Sequence, residues 1–367
     1  MDSTSSDIDL SAINLRLAPE AWQMLNGAVK PFGADYEYFL NRSGYAKPIG
    51  FQNPIELQTR TTYVFKLQLE FDKEFRRAKR FHGHATGRSS VGRVDVLTRL
   101  IVEGMDQYEG FTAEQLERDG SGKLFLEVTP ITFRVLVKPD IALSQLRLFF
   151  GTPESCLIKG NDIVESTLRV QGEREHADGV LSLSLSPEQK DEISAFRADV
   201  EGAEGKAKQS TRKPVSLWDM DEADKPAPVG YWERVKADKG VENRDWFLPI
   251  EHGRFYILKS DERLRLPAGV AVYCKPSDET IGEMRIHYAG FVHPWFGTNR
   301  QDQEEGTPLI FEVRGHDLPT VLGHKEKLAR LEYYRMSDDP ECPKEKSTSP
   351  YENQSLELSK FFGQWKN

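Results

Sequence analysis

The sequence predicts an all-β architecture in two tandem copies with few short helices, on three observations. From Arg60 onward the chain consists of short alternating segments, TTYVFKLQLEF, RVDVLTRLIV, KLFLEVTPITFRVLVKP and SQLRLFF, each bounded by Gly, Pro, Asp or Asn. The same texture returns after a charged interval, in RFYILKSDERLRLPAGVAVYC, GEMRIHYAGFV, TPLIFEVRGHDLPTVL and KLARLEYYRM. Placing Glu127 on Glu312, an offset of 185, aligns LFLEVTPITFRVLVKPDIALSQLRLFF with LIFEVRGHDLPTVLGHKEKLARLEYYR without a gap. Val128/Val313, Leu143/Leu328 and Leu146/Leu331 then coincide, and Phe133/Leu318, Leu136/Val321 and Leu148/Tyr333 are apolar in both. The repeat spans about 58–170 and 245–336.

In chain order, residues 1–57 mix polar stretches with Pro and Gly and read as an arm with at most one short helix around 18–28. Residues 58–198 form the first domain, closing on VLSLSLSPEQKDEISAF. Residues 199–244, charged and rich in Ala, Gly and Lys, with KPAPVG inside, read as an exposed linker. Residues 245–336 are the second domain, and 337–367 a tail that runs from the loop-like SDDPECPKEKSTSP to the amphipathic YENQSLELSKFFGQWKN.

At 367 residues the chain is long enough for two cores. Its 49 Lys and Arg against 58 Asp and Glu give a net charge of -9, which argues against a broad footprint for nucleic acid or an anionic membrane. An anionic ligand would need a local pocket. No apolar run reaches the roughly 18–20 residues needed to span a bilayer. The start, MDSTSSDIDLSAIN, has neither the basic end nor the apolar core of a signal peptide, so a cytoplasmic location is expected. Cys156, Cys274 and Cys342 are odd in number and far apart, which suggests neither a disulfide framework nor a zinc ribbon.

Two local signals carry chemistry. GRSSVGR, Gly87 to Arg93, packs two cations, two hydroxyls and two glycines into seven residues. Arg88 and Arg93 supply charge-assisted donors, Ser89 and Ser90 supply hydroxyls, and the glycines let backbone N–H groups approach phosphate oxygens. The competing reading is a polar turn with solvated arginines. The second signal is a carboxylate inside an apolar strand, in LFLEV (Glu127) and LIFEV (Glu312). Buried, such a Glu has a raised pKa and suits proton transfer near neutrality; on a wet face it does nothing, and five residues do not decide the face. Histidine spacing suggests no metal site: His82 and His84 form HGH, and His287, His293, His316 and His324 are scattered. The HxE and PCxxC of zinc-dependent nucleobase deaminases are missing, as are GxxxxGK[ST], GxSxG and GxGxxG. Trp295 and the Phe residues near it read as core.

These residues resemble deoxycytidine triphosphate deaminases, relatives of the trimeric deoxyuridine triphosphatases. FHGHATGRSSVGRVDVLTRLIVEGMDQYEGF is similar to the family's RSSxxR phosphate motif followed, 18 residues after its Arg, by an Asp in an IDPG[WFY]xG turn; Arg88 to Asp106 has that spacing. GEMRIHYAGFVHPWFG, then the LIFEV segment, resembles the C-terminal half of the long, duplicated bacterial form. YENQSLELSK is similar to the family's closing segment, Tyr-x-x-Gln followed by Leu-Ser-Lys. Together the matches cover about 60–362.

The resemblance implies two tandem deoxyuridine-triphosphatase-like distorted β-barrels, with active sites assembled between neighbouring barrels. It implies hydrolytic deamination of dCTP to dUTP and ammonia, with Arg88, Ser89, Ser90 and Arg93 on the phosphate and leaving-group side. A strand Glu activates water, with Glu312 favoured over Glu127, because the base-reading segment (Arg285, His287, Tyr288, Ala289) and the closing tail accompany the second copy. Asp106, Tyr351, Gln354 and Lys360 are implied to contact substrate. Mg²⁺ is implied as a passenger on the triphosphate, with no zinc, and the assembly as a homotrimer of two-barrel chains. Three features depart from the family: His293-Pro294-Trp295 replaces Asp-Pro-Gly, Lys275 to Thr280 (KPSDET) replaces a second RSSxxR, and FTAEQLERDGSG is an extra stretch before the first Glu strand. Two other readings stay open: pyrophosphate release from dUTP or dCTP, alone or after deamination through Asp106, and a non-catalytic deoxynucleotide-binding regulator.

Overall fold

Short runs of β-branched and aromatic residues between turns cannot bury their apolar faces singly. Here they close on one another as two mainly β units. The computed structural model describes residues 8–9, 11–33, 35–169, 179–186, 193–199, 212–240, 245–277, 284–287, 290–298, 306–336 and 355–365. One unit comprises Met1–Cys156 with Lys213–Pro226, the other Leu157–Arg212 with Ala227–Asn367. Each is a distorted barrel of mainly antiparallel strands, and no described helix is longer than seven residues. None is long and apolar enough to cross a membrane.

In the first unit the sheet runs Val96–Val102, Leu124–Pro130, Tyr63–Leu67, Ala12–Met24, Ala142–Phe150, Phe81–Gly87, Gly110–Thr112. Leu15, Leu17, Val64, Phe65, Leu126, Val128 and Leu146 fill its interior, each fully buried and worth roughly 1.5–3 kcal/mol. The second unit repeats the pairings. Tyr63–Leu67 pairs with Leu124–Pro130 as Phe255–Leu264 pairs with Thr307–Gly315. Val96–Val102 flanks the first Glu strand as Met284–His287 flanks the second. Phe81–Gly87 lies beside Ala142–Phe150 as Val270–Pro276 lies beside Lys327–Arg335. The offset of 185 carries Ala142–Phe150 onto Lys327–Arg335 residue for residue, so the sequence repeat is a repeat of topology and register.

Two expectations require correction. Residues 18–28 are not helical: Ala12–Met24 is a single 13-residue strand at the centre of the first unit, paired with Ala142–Phe150, Tyr63–Leu67 and Ala46–Gly50. Pro19 sits exposed where the register with Tyr63–Leu67 shifts, an irregularity that tolerates a missing N–H. Leu15 and Leu17 are buried in alternation ahead of it, and beyond it Ala21, Trp22 and Met24 are buried, the strand being covered on both faces there. Nor are residues 212–240 merely an exposed connection. Val215–Ser216 pairs in parallel with Val135–Val137, and Trp232–Val235 pairs with Ala195–Ala198. Two apolar islands, VSLW and YWERV, interrupt a stretch whose average composition is charged. The second unit begins at Leu157, and VLSLSLSPEQKDEISAF supplies it with Val180–Ser182 and Ala195–Ala198.

Candidate functional site

The GRSSVGR segment is a tight corner at the end of Phe81–Gly87. A Cβ on Gly87 would stand 2.6 Å from Thr98 Oγ1, so the backbone crosses the neighbouring strand at a distance only glycine allows. Arg88 is extended and Ser89–Gly92 makes one helical turn, closed by Val91 and Gly92 N–H groups donating to Arg88 O. Ser89 is exposed, Arg88 half-buried, and Ser90 and Arg93 buried. The reading of two solvated arginines therefore fails for Arg93, which is 3% exposed. Arg88 is held by its backbone N–H donating to Leu143 O at 3.0 Å and by its guanidinium Nη1 donating to Asn14 Oδ1 at 3.3 Å.

Both strand carboxylates are buried, Glu127 at 1% and Glu312 at 6% exposure, which removes the wet-face reading. They occupy equivalent register: Glu127 lies opposite Val64 and Arg99, Glu312 opposite Ile257 and His287. Their surroundings differ. Tyr108 Oη donates to Glu127 Oε2 at 2.9 Å, Arg99 Nη1 stands 3.6 Å from Oε1, and the Arg99 guanidinium lies 4.9 Å over the Tyr108 ring. Burial pushes the Glu127 carboxyl above the usual range, and Tyr108 and Arg99 pull partly against it. Beside it Glu109, at a positive φ of 69° in the MDQYEG turn, has its Oε2 shut off from solvent although the residue as a whole is only half-buried. Burial lifts this carboxyl to about 8. In the second unit the Cys274 thiol is pushed up to about 12, first by burial and then by the Glu312 charge.

Among the remaining expected site residues, Asp106 is exposed in the turn before Tyr108. Arg285 and His287 lie on Met284–His287, opposite Arg314 and Glu312. Tyr288, Ala289, Tyr351 and Gln354 lie outside the described residues. Lys360 is half-buried, its Nζ 5.7 Å from the Phe361 ring centroid. Past it Phe362 packs edge-on against Tyr231 and Trp232, and Trp365 stacks on Phe196 beneath Arg234. Pro276 takes the register position of Gly87, since Ser144 opposes Gly87 as Ala329 opposes Pro276; a proline there offers no N–H. Sequence reading missed Asn14, Tyr108, Glu109 and Arg99. Tyr108 had a visible signal: it stands where the turn motif has a glycine. Among the described residues no three His, Cys, Asp or Glu side chains converge on a common point.

Family models agree with the two-unit division. The model of the 2'-deoxycytidine 5'-triphosphate deaminase N-terminal domain matches residues 2–152, and that of the C-terminal domain matches residues 159–362. Among solved structures, the chain is similar to 2'-deoxycytidine 5'-triphosphate deaminase from Agrobacterium tumefaciens, with 24% identity over 93% of each chain and a TM-score of 0.76. That likeness shows that the two chains share a fold, mainly β as expected. No curated protein gives a significant match.

Proposed function

The chain belongs to the 2'-deoxycytidine 5'-triphosphate deaminase family, an enzyme family that deaminates dCTP, and from that membership we propose how its residues divide the work. RSSVGR binds the triphosphate through Arg88, Ser89, Ser90 and Arg93, and Glu312 activates the water that attacks cytosine C4. The observation that carries the choice of carboxylate is the capping of Glu127, which is closed off by Tyr108 and Arg99 within its own unit. A general base must reach a water.

The chemistry needs one carboxyl acting twice. Glu312 takes a proton from water, the hydroxide oxygen bonds to C4, and the proton passes to N3. Glu312 then takes the proton of the new C4 hydroxyl and gives it to the amino group; the C4–N bond breaks, ammonia leaves and C4=O remains. Burial keeps Glu312 out of bulk water, where a single carboxyl can serve both steps. The cations and hydroxyls of RSSVGR suit phosphate oxygens rather than a metal cage, so Mg²⁺ would come bound to the triphosphate and would offset part of its charge. Arg285 and the His287–Ala289 backbone read the base, Asp106 contacts substrate, and Tyr351, Gln354 and Lys360 close over the nucleotide. The protein works in the cytoplasm as a homotrimer.

The test follows ammonia and pyrophosphate together, with Mg²⁺, from dCTP, dCMP, CTP and dUTP. Ammonia from dCTP and not from CTP is expected. Pyrophosphate from dUTP without ammonia from dCTP would replace deamination by pyrophosphate release, and nucleotide-dependent thermal protection without turnover would make the chain a binding regulator. Light scattering should give the mass of three chains; a monomer at assay concentration overturns the trimer.

A further inference from the structure

We propose that Asn14 is a positioning residue for triphosphate recognition, orienting the Arg88 guanidinium through a neutral amide. The proposal rests on the reading of RSSVGR as the phosphate site. Asn14, Gln145 and Thr86 lie side by side on three adjacent strands, Asn14 opposite Gln145 and Gln145 opposite Thr86. Arg88 and Arg147 each follow two residues after a member of that row, which returns their side chains to the same face. The row is joined by hydrogen bonds. Arg88 Nη1 donates to Asn14 Oδ1 at 3.3 Å and Gln145 Nε2 donates to the same oxygen at 3.2 Å. Arg147, 2% exposed, donates to Gln145 Oε1 at 3.3 Å and to Thr86 Oγ1 at 2.8 Å.

The acceptor's chemistry matters. Arg88 forms no ion pair with a described residue, so its full charge is left for an anion. A carboxylate at position 14 would hold the guanidinium as firmly but would neutralise it; an amide holds it and does not. The second unit is an internal control. Arg330, the register equivalent of Gln145, lies opposite Val180 and Lys275. Val180 thus takes the place of Asn14 and can accept no side-chain hydrogen bond. The unit that lacks RSSxxR also lacks the amide.

Asn14→Asp and Asn14→Ala, with Arg88→Ala as reference, are compared for kcat and for KM and Kd with dCTP and dCMP, folding being checked by thermal unfolding. Asn14→Asp should raise KM and Kd for dCTP by about tenfold, the size of one lost charge-assisted bond. The increase for dCMP should be clearly smaller, and kcat should fall much less than affinity. Asn14→Ala should shift the dCTP to dCMP ratio in the same direction by less. If Arg88→Ala weakens dCTP binding while both Asn14 variants keep the wild-type ratio, or lose only thermal stability, the positioning role is wrong and the phosphate reading stands. If Arg88→Ala itself leaves dCTP affinity unchanged, the phosphate reading falls and the role of Asn14 with it.

Discussion

Glu312→Gln is expected to lower kcat for dCTP deamination by about 10²–10⁴-fold while dCTP still binds, since the amide keeps the shape of the carboxylate and loses its proton traffic. Glu127→Gln should turn over at close to the wild-type rate. The asymmetry follows from the two environments and not from position along the strand, because register places the two residues in the same relation to their neighbours. Glu127 already spends an oxygen on the Tyr108 hydroxyl and lies within reach of Arg99. Gln at 127 can still accept from Tyr108. Single-turnover ammonia release, with binding measured separately, distinguishes loss of chemistry from loss of affinity. The opposite pattern, an inactive Glu127→Gln beside an active Glu312→Gln, moves the base to the first unit; two active variants remove the strand carboxylate from the mechanism altogether.

The strands that carry this argument were legible because their apolar pattern is local. LFLEV and LIFEV, and the nine-residue strands that follow them, declare their period within a few residues, and their common offset of 185 predicted a shared register. Ala12–Met24 was not legible, because APEAWQM holds a proline ahead of good helix formers and only pairing with three other strands overrides that preference. Burial of Glu127 was equally hidden, since its face of the sheet is covered by the helix Tyr36–Arg42 and by Tyr108, which lie outside its own strand. Arg88, Ser89, Ser90 and Arg93 could be named from composition alone. Asn14 could not: it is 74 residues from Arg88, and its alignment with Gln145 and Thr86 exists only once three strands are side by side.

Wild-type stability is expected to fall as pH rises from 4.5 through about 8, by on the order of a few kcal/mol, and Glu109→Gln should remove most of that slope. The sign follows from proton counts. Glu109, lifted to about 8 by burial against an ordinary 4.5, keeps a proton in the folded chain at pH values where the unfolded chain has released it. Its stabilising share is complete below 4.5 and gone above about 8. Glu127, also raised by burial, acts in the same direction, and the two carboxyls oppose each other's ionisation across a short distance. The strain lands on a defined place, the turn from Met105 to Gly110. There Ala85 N–H donates to Glu109 O, Glu109 N–H donates to Leu100 O and Tyr108 reaches Glu127. Thermal unfolding of wild type, Glu109→Gln and Glu127→Gln between pH 6 and 9 reads the effect. Glu109→Gln should already exceed the wild type at pH 6 and exceed it by more at pH 9, while equal slopes in all three would show that the protonated Glu109 contributes nothing. Because the turn caps Glu127, the same loosening that lowers stability at alkaline pH also uncaps that carboxylate, whereas Glu312 lies on a strand of the other unit. A base on Glu312 therefore requires that kcat stay level across the window in which the first unit weakens; a rise in kcat that tracks the loss of stability would place the base at Glu127.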